Sequence, residues 1–181
     1  MSYFNIVSQS DESTVVAEYT PQSQRSEAYQ SEAELENEFI RLLCELGYER
    51  LAIHKEADLI ANLRTQLEKL NDYRFTDGEW QRFWNEVLAN SNSGILEKTR
   101  LIQEDYVQVL RRDSGESKNI QLIDKKCIHH NSLQVIHQYA ISAKEGAAHD
   151  NRYDVTVLVN GLPLVHIELK RRGVPIREAF N

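Results

Sequence analysis

The sequence predicts an α/β fold in which helices flank a β-sheet. Three observations predict it. Apolar residues recur at helical spacing from about residue 31 to 103. After Gly115 the period becomes strand-like, with runs rich in Ile, Val, Gln and Tyr at 120–128 and 133–141. Residues 151–173, NRYDVTVLVNGLPLVHIELKRRG, then place an Asn-Gly pair between two aliphatic runs, a strong short-range hairpin signal.

The elements follow in order. Residues 1–29 are rich in Ser, Gln and Glu and lack periodicity, so they read as a flexible arm with a short strand near 15–19. In QSEAELENEFIRLLCELGYE, Ser31 and Glu34 form the S-x-x-E capping box that opens a helix. Leu35, Phe39, Leu42 and Leu46 continue it, and Gly47 sits where a helix C′ residue belongs. Leu59, Leu63, Leu67 and Leu70 stripe a second helix over 56–70. Thr76 and Glu79 form another capping box, followed by Trp80, Phe83, Trp84 and Val87 on one face. These stripes read as core or helix-docking surface. NSNSG at 90–94 is a loop, and a further helix is expected over 96–103. Residues 56–110 thus form a helical insertion between the first helix and the strands. Residues 30–181 read as one domain, and VPIREAFN begins a helix that the chain end cuts off.

Composition narrows the function. With 181 residues the chain can bury roughly 70% of its unfolded surface, enough for a single core. It is 41% hydrophobic and 27% charged, with a net charge of −7, so phosphate contact would need a local basic patch. The N-terminus has no basic n-region or apolar h-region, and no run reaches the roughly 18 apolar residues of a membrane span. No GxxxxGK[ST] occurs, which excludes a Walker-type nucleotide site. Cys44 and Cys127 lie far apart without zinc spacing, a usage that fits a cytoplasmic location.

The hairpin carries the chemistry. Each strand has a purely aliphatic side: Val155, Val157 and Val159 in the first, Val165, Ile167 and Leu169 in the second. Packing requires those sides to match across the pair, because a one-residue slip would flip a whole set. A strict two-residue Asn160-Gly161 turn would set Tyr153 opposite Glu168. A three-residue loop, Val159-Asn160-Gly161 with a bulge at Gly161, restores the match and is the form expected. Asp154, His166, Glu168 and Lys170 then share a face. Two neighbouring carboxylates repel unless compensated, and a hard divalent cation such as Mg²⁺ is one compensation. The Leu169 carbonyl could add a third oxygen. Lys170 could position or activate a water and neutralise developing charge. The same pattern also describes a solvated face with a surface Glu-Lys pair. His166 is expected to be a packed or hydrogen-bonded bystander, and His129-His130 a solvent-exposed pair. Arg171, Arg172 and Arg177 follow the hairpin, and Lys125 and Lys126 fall on a neighbouring expected strand; together they could contact a phosphate backbone or be ordinary surface charge.

These stretches resemble a known family. An acidic helix, then D…ExK on a hairpin, then a basic helix start resembles the PD-(D/E)XK nuclease core. More closely, YQSEAELENEFIRLL, LNDYRFTDGEWQRFW, LIDKKCIHHNSLQVIHQY and NRYDVTVLVNGLPLVHIELKRRGVPIREAFN resemble the N-terminal part of the restriction (R) subunit of type I restriction–modification enzymes. The resemblance covers nearly all of residues 29–181. It implies a mixed β-sheet flanked by helices, with a restriction-endonuclease-like core. Asp154, Glu168 and Lys170 match the family's two catalytic acids and lysine. The first-helix glutamate matches Glu36 or Glu38, with Glu36 favoured by its spacing to Phe39 and Leu43. With the hairpin reading above, the expected metal ligands are Asp154, Glu168 and the carbonyl of Leu169.

The resemblance further implies Mg²⁺-dependent cleavage of double-stranded DNA, with Mn²⁺ as a substitute, and modification and specificity subunits as partners. ATP would serve only a motor region absent from these residues. The family's Gln-x-x-x-Tyr motif lies beyond Asn181, so the chain is expected to be an N-terminal fragment or a truncated product. A non-catalytic DNA-binding or subunit-docking role is the alternative.

Overall fold

The computed structural model describes residues 3–9, 15–20, 31–141 and 151–170. Near the N-terminus, β1 (Tyr3–Gln9) and β2 (Val15–Thr20) pair antiparallel, with a register shift between Ile6 and Ser8. The second strand covers the short strand expected there.

Residues from Ser31 onward form a separate unit. Helix α1 (Glu32–Glu45) opens on the expected capping box: Glu34 N donates to Ser31 Oγ at 3.2 Å, and Ser31 N donates to Glu34 Oε2 at 2.8 Å. It closes before Gly47, whose φ of +95° suits a residue without Cβ. A short strand, β3 (Glu49–Arg50), follows. Helix α2 (Glu56–Asn71) ends on a left-handed Asp72. Helix α3 (Asp77–Phe83), capped by Thr76 and Glu79, runs into a π-helical turn at Trp84–Leu88. Helix α4 is Ile95–Gln103. No described helix is long and apolar enough to cross a membrane.

Two differences from the sequence reading concern the strands. The insertion is not wholly helical: β4 (Val107–Arg111) pairs antiparallel with β5 (Ser117–Gln121). The strand expected over 120–128 stops at Gln121. Beyond it Asp124 accepts hydrogen bonds from Lys126 N and Cys127 N, both at 2.9 Å, and Asn131 Oδ1 accepts from Asp124 N at 2.8 Å. Short Asp and Asn side chains thus replace a strand ladder with a turn. The turn ends in a 3₁₀ segment, Ile128–His130, so the two exposed histidines lie on a helical turn instead of a strand.

The main sheet runs β3–β6–β7–β8, with β6 at Leu133–Ile141, β7 at Asn151–Val159 and β8 at Leu162–Ile167. The β3–β6 pair is parallel and the others antiparallel, so the sheet is mixed. Helices cover both faces. On one, Ile40 of α1 packs with buried Val135 and Val155. On the other, Leu59 of α2 packs with Ile53, Ile136 and Leu158. Burying both faces explains why β7 reads as a nearly continuous aliphatic run. A further core forms around α2: Leu63 and Leu67 meet Phe75, Phe83, Leu110, Ile120 and Leu122.

The hairpin turn corrects the bulged loop expected at Val159-Asn160-Gly161. Val159 pairs with Leu162, so the turn is the two-residue Asn160-Gly161, with φ of 50° and 80°, as in a type I′ turn. The extra residue sits later, at Leu164: Leu158 pairs with Pro163 and Val157 with Val165. Two contacts hold the tight turn. Asn160 is buried, with its Nδ2 donating to the Leu122 carbonyl at 3.0 Å and its Oδ1 accepting from Ser132 N at 2.8 Å. A Cβ on Gly161 would stand 2.6 Å from Leu63 Cα. Pro163 donates no ladder bond, and β8 lies at the sheet edge, where such a residue and a bulge are tolerated. The helix expected after the hairpin lies outside the described residues.

Candidate active site

The register after the bulge decides what the hairpin presents. Val155 pairs with Ile167, so the next step sets Asp154 across from Glu168. Strand alternation alone does not carry this arrangement, because β8 ends at Ile167. Instead, Leu169 N donates to Asp154 Oδ2 at 2.7 Å and ties the segment that leaves β8 to β7. Lys170 Nζ donates to Glu168 Oε1 at 2.6 Å. Both side chains of this pair are about one-third exposed or less, at 28% for Lys170 and 33% for Glu168. The bond to Glu168 raises the Lys170 pKa, and the charges of Glu32 and Asp154 add to it. The ammonium therefore stays charged.

Helix α1 carries the glutamate expected from the sequence. Ile40 fixes the helix on Val135 and Val155. Glu36, one turn earlier, is half-buried, whereas Glu38 is exposed. Gln138 Nε2 donates to Glu36 Oε2 at 3.2 Å. Gln138 stands in β6 at the step that faces Asp154 in β7. The structure thus ties Glu36 to the strand position opposite Asp154.

His166 turns to other partners. Its Nδ1 meets Thr156 Oγ1 at 2.9 Å, and its ring stacks on Tyr153 at 4.0 Å between centroids. Burial lowers its pKa. Thr156, His166, Tyr139, Leu59, His54 and Trp84 line part of a cavity of about 630 Å³ on the α2 side of the sheet.

Of the expected basic residues, Lys125 and Lys126 are among the described ones. Lys125 and Lys126 lie in the Asp124 turn and not on a strand. Lys125 Nζ donates to the Gln103 carbonyl and lies 4.6 Å from the Tyr106 ring centroid. Lys126 is exposed. Arg171, Arg172 and Arg177 lie outside the described residues. Sequence reasoning missed Gln138. Its only signal is its backbone, at φ +52°, which a sequence does not display.

The donor chemistry suits a hard divalent cation. Asp154 commits Oδ2 to Leu169, and Glu168 commits Oε1 to Lys170. Among the described residues no cluster of three or more His, Cys, Asp or Glu could hold a metal. Mg²⁺ does not require one, since it is commonly held by one or two carboxylates and otherwise keeps its waters.

Comparison with known proteins gives the family. Residues 29–181 match the family model described as the type I restriction enzyme R protein N terminus. The chain is 44% identical over 176 residues to the endonuclease subunit of the type I restriction enzyme EcoprrI of Escherichia coli, covering 97% of this chain and 55% of that protein. It is 42% identical over 159 residues to the SauMSSORF170P endonuclease subunit of Staphylococcus aureus strain MSSA476, covering 85% of this chain and 16% of the relative. The corresponding SsaAORF53P subunit of Staphylococcus saprophyticus is 39% identical over 158 residues, at 84% and 16% coverage. The chain therefore spans about half the length of the E. coli relative and a much smaller part of the staphylococcal ones. With its mixed sheet between helices and a family match over 29–181, this chain belongs to the family of R-protein N-terminal regions of type I restriction enzymes.

Proposed function

We propose that this domain hydrolyses DNA phosphodiester bonds with Mg²⁺ as the nuclease part of a type I restriction–modification complex. The observation that carries the reading is the Asp154–Leu169 bond, which sets Asp154 beside the Glu168–Lys170 pair. Asp154 and Glu168 would hold the cation, with the Leu169 carbonyl as a further oxygen. When bound, the cation supplies Lewis-acid polarisation of a phosphoryl oxygen.

The chain's own groups do the rest. Lys170, held cationic by Glu168, acts as a donor that orients a water and offsets charge developing on the phosphate, not as a base. Glu168 accepts from Lys170 through Oε1 and would hold the cation with its carboxylate. Glu36 accepts from water at the Asp154 step. Double-stranded DNA would be the substrate, with modification and specificity subunits as partners.

Calorimetric titration of Mn²⁺ into this chain and its Asp154→Ala and Glu168→Ala variants tests the reading. Binding lost in both variants supports it. Binding absent from the parent, or indifferent to both substitutions, rejects it in favour of a docking role.

A further inference from the structure

The β6–β7 ladder keeps one register from Leu133↔Val159 to Ile141↔Asn151. It is interrupted at one step. His137 pairs with Val155 and Tyr139 with Tyr153, but Gln138 and Asp154 between them do not pair. At that step Gln138 adopts φ +52°, a left-handed conformation that non-glycine residues seldom take. A strand interior offers no local reason for it, since no turn is made there and the register resumes unchanged. Strained backbone of this kind persists when surrounding structure over-determines it, and it concentrates at functional sites.

The side chain shows what the conformation achieves. Gln138 leaves the ladder and reaches across to α1, donating Nε2–H to Glu36 Oε2 at 3.2 Å. The bond joins residues 102 positions apart. An amide N–H can only donate, so the bond fixes the position of one Glu36 carboxylate oxygen. The gap in the ladder falls at the residue whose carboxylate is also held by Leu169 N. One irregularity thus serves two acids: it opens the backbone beside Asp154 and tethers Glu36 to the same step.

We propose that Gln138 is a positioning residue, whose left-handed backbone and side-chain amide orient Glu36 toward the cation site formed by Asp154 and Glu168. The proposal rests on the metal-site reading above. Since no three-acid cluster occurs among the described residues, Glu36 would act on the site from outside its direct ligands. Groups that orient a metal site from outside its direct ligands typically change affinity by 10–100-fold when removed.

The test is calorimetric titration of Mn²⁺ into the parent chain, Gln138→Ala, Gln138→Gly, Glu36→Gln, Asp154→Ala and the Gln138→Ala/Glu36→Gln double variant. Thermal unfolding without metal is measured in parallel. Gln138→Gly relaxes the backbone while removing the amide, so a purely structural role predicts unchanged Mn²⁺ affinity and equal or greater stability. Positioning predicts that Gln138→Ala and Gln138→Gly each weaken Mn²⁺ binding on the order of tenfold, whatever their thermal midpoints. It also predicts that Gln138→Ala has no further effect once Glu36→Gln is present, because Gln138 acts on the metal site only through the Glu36 carboxylate, which that change removes. Affinity unchanged in Gln138→Gly, with Asp154→Ala still abolishing binding, overturns the proposal and leaves the metal site standing. Additive losses in the double variant overturn it likewise. A parent chain that binds no Mn²⁺ removes both.

Discussion

The backbone N–H of Leu169 donates to Asp154 Oδ2 at 2.7 Å. This bond reaches past the end of β8, so the ExK segment is placed by an acid that the same site would use. Position and charge at Asp154 are therefore separable. Asp154→Asn keeps an acceptor for Leu169 and should unfold within about 0.5 kcal/mol of the parent, while losing Mn²⁺ binding. Asp154→Ala strands the Leu169 N–H and should cost about 1–2 kcal/mol as well. Urea midpoints with parallel Mn²⁺ titrations check both; equal stability of the two variants would contradict the structural role given to the bond.

Gly161 lets the hairpin touch α2. Its φ is +80°, and an added Cβ would fall 2.6 Å from Leu63 Cα and 3.0 Å from Leu63 N, both backbone atoms that cannot swing away. Gly161→Ala should destabilise the chain by about 2 kcal/mol or more, through strain at positive φ and a forced shift of the turn. Denaturant unfolding measures it. Because Asn160-Gly161 sets the hairpin, a loss of Mn²⁺ binding is expected to accompany any shift that survives folding.

Leu67 of α2 is fully buried against the cluster that includes Phe75 and Phe83. Leu67→Ala should cost about 2–5 kcal/mol, combining lost transfer energy with the cavity left behind. A cost under about 1 kcal/mol would mean that α2 does not share a core with α3 and the β4–β5 pair. The measurement is again the urea midpoint.

Histidines make stability depend on pH. Burial lowers the pKa of His166, and burial with the charges of Arg50 and His54 lowers that of His137. Above the unfolded value of about 6.5 both are neutral in either state, so they leave stability unchanged. Below it the unfolded chain binds protons more readily than the folded chain. Stability should therefore fall as pH drops from about 6.5 toward the lowered folded values. The His166→Gln/His137→Gln double variant should show a flatter dependence between about pH 7 and 5. An identical slope in parent and variant would contradict burial as the cause.

Local chemistry determined a large part of this protein. Ser31 with Glu34 and Thr76 with Glu79 start helices because each pair satisfies donors within four residues. The stripes of α2 and α3 face the core because helical spacing leaves no other face apolar. The aliphatic sides of β7 and β8 also demanded one register, and Asp154 stands across from Glu168 in that register. Tertiary structure decided how the register is reached. Asn160 is buried against Leu122 and Ser132, and Gly161 lies against Leu63, so the turn stays at two residues and the bulge moves to Leu164 on the free edge. Likewise, Asp124 and Asn131 convert a strand-like run into a turn, which holds Lys125 and Lys126 outside any strand. The link from Gln138 to Glu36 spans helix and sheet, and its left-handed backbone is fixed by packing. Periodicity records which face a residue prefers, whereas contacts between distant segments depend on distances that only the folded chain sets.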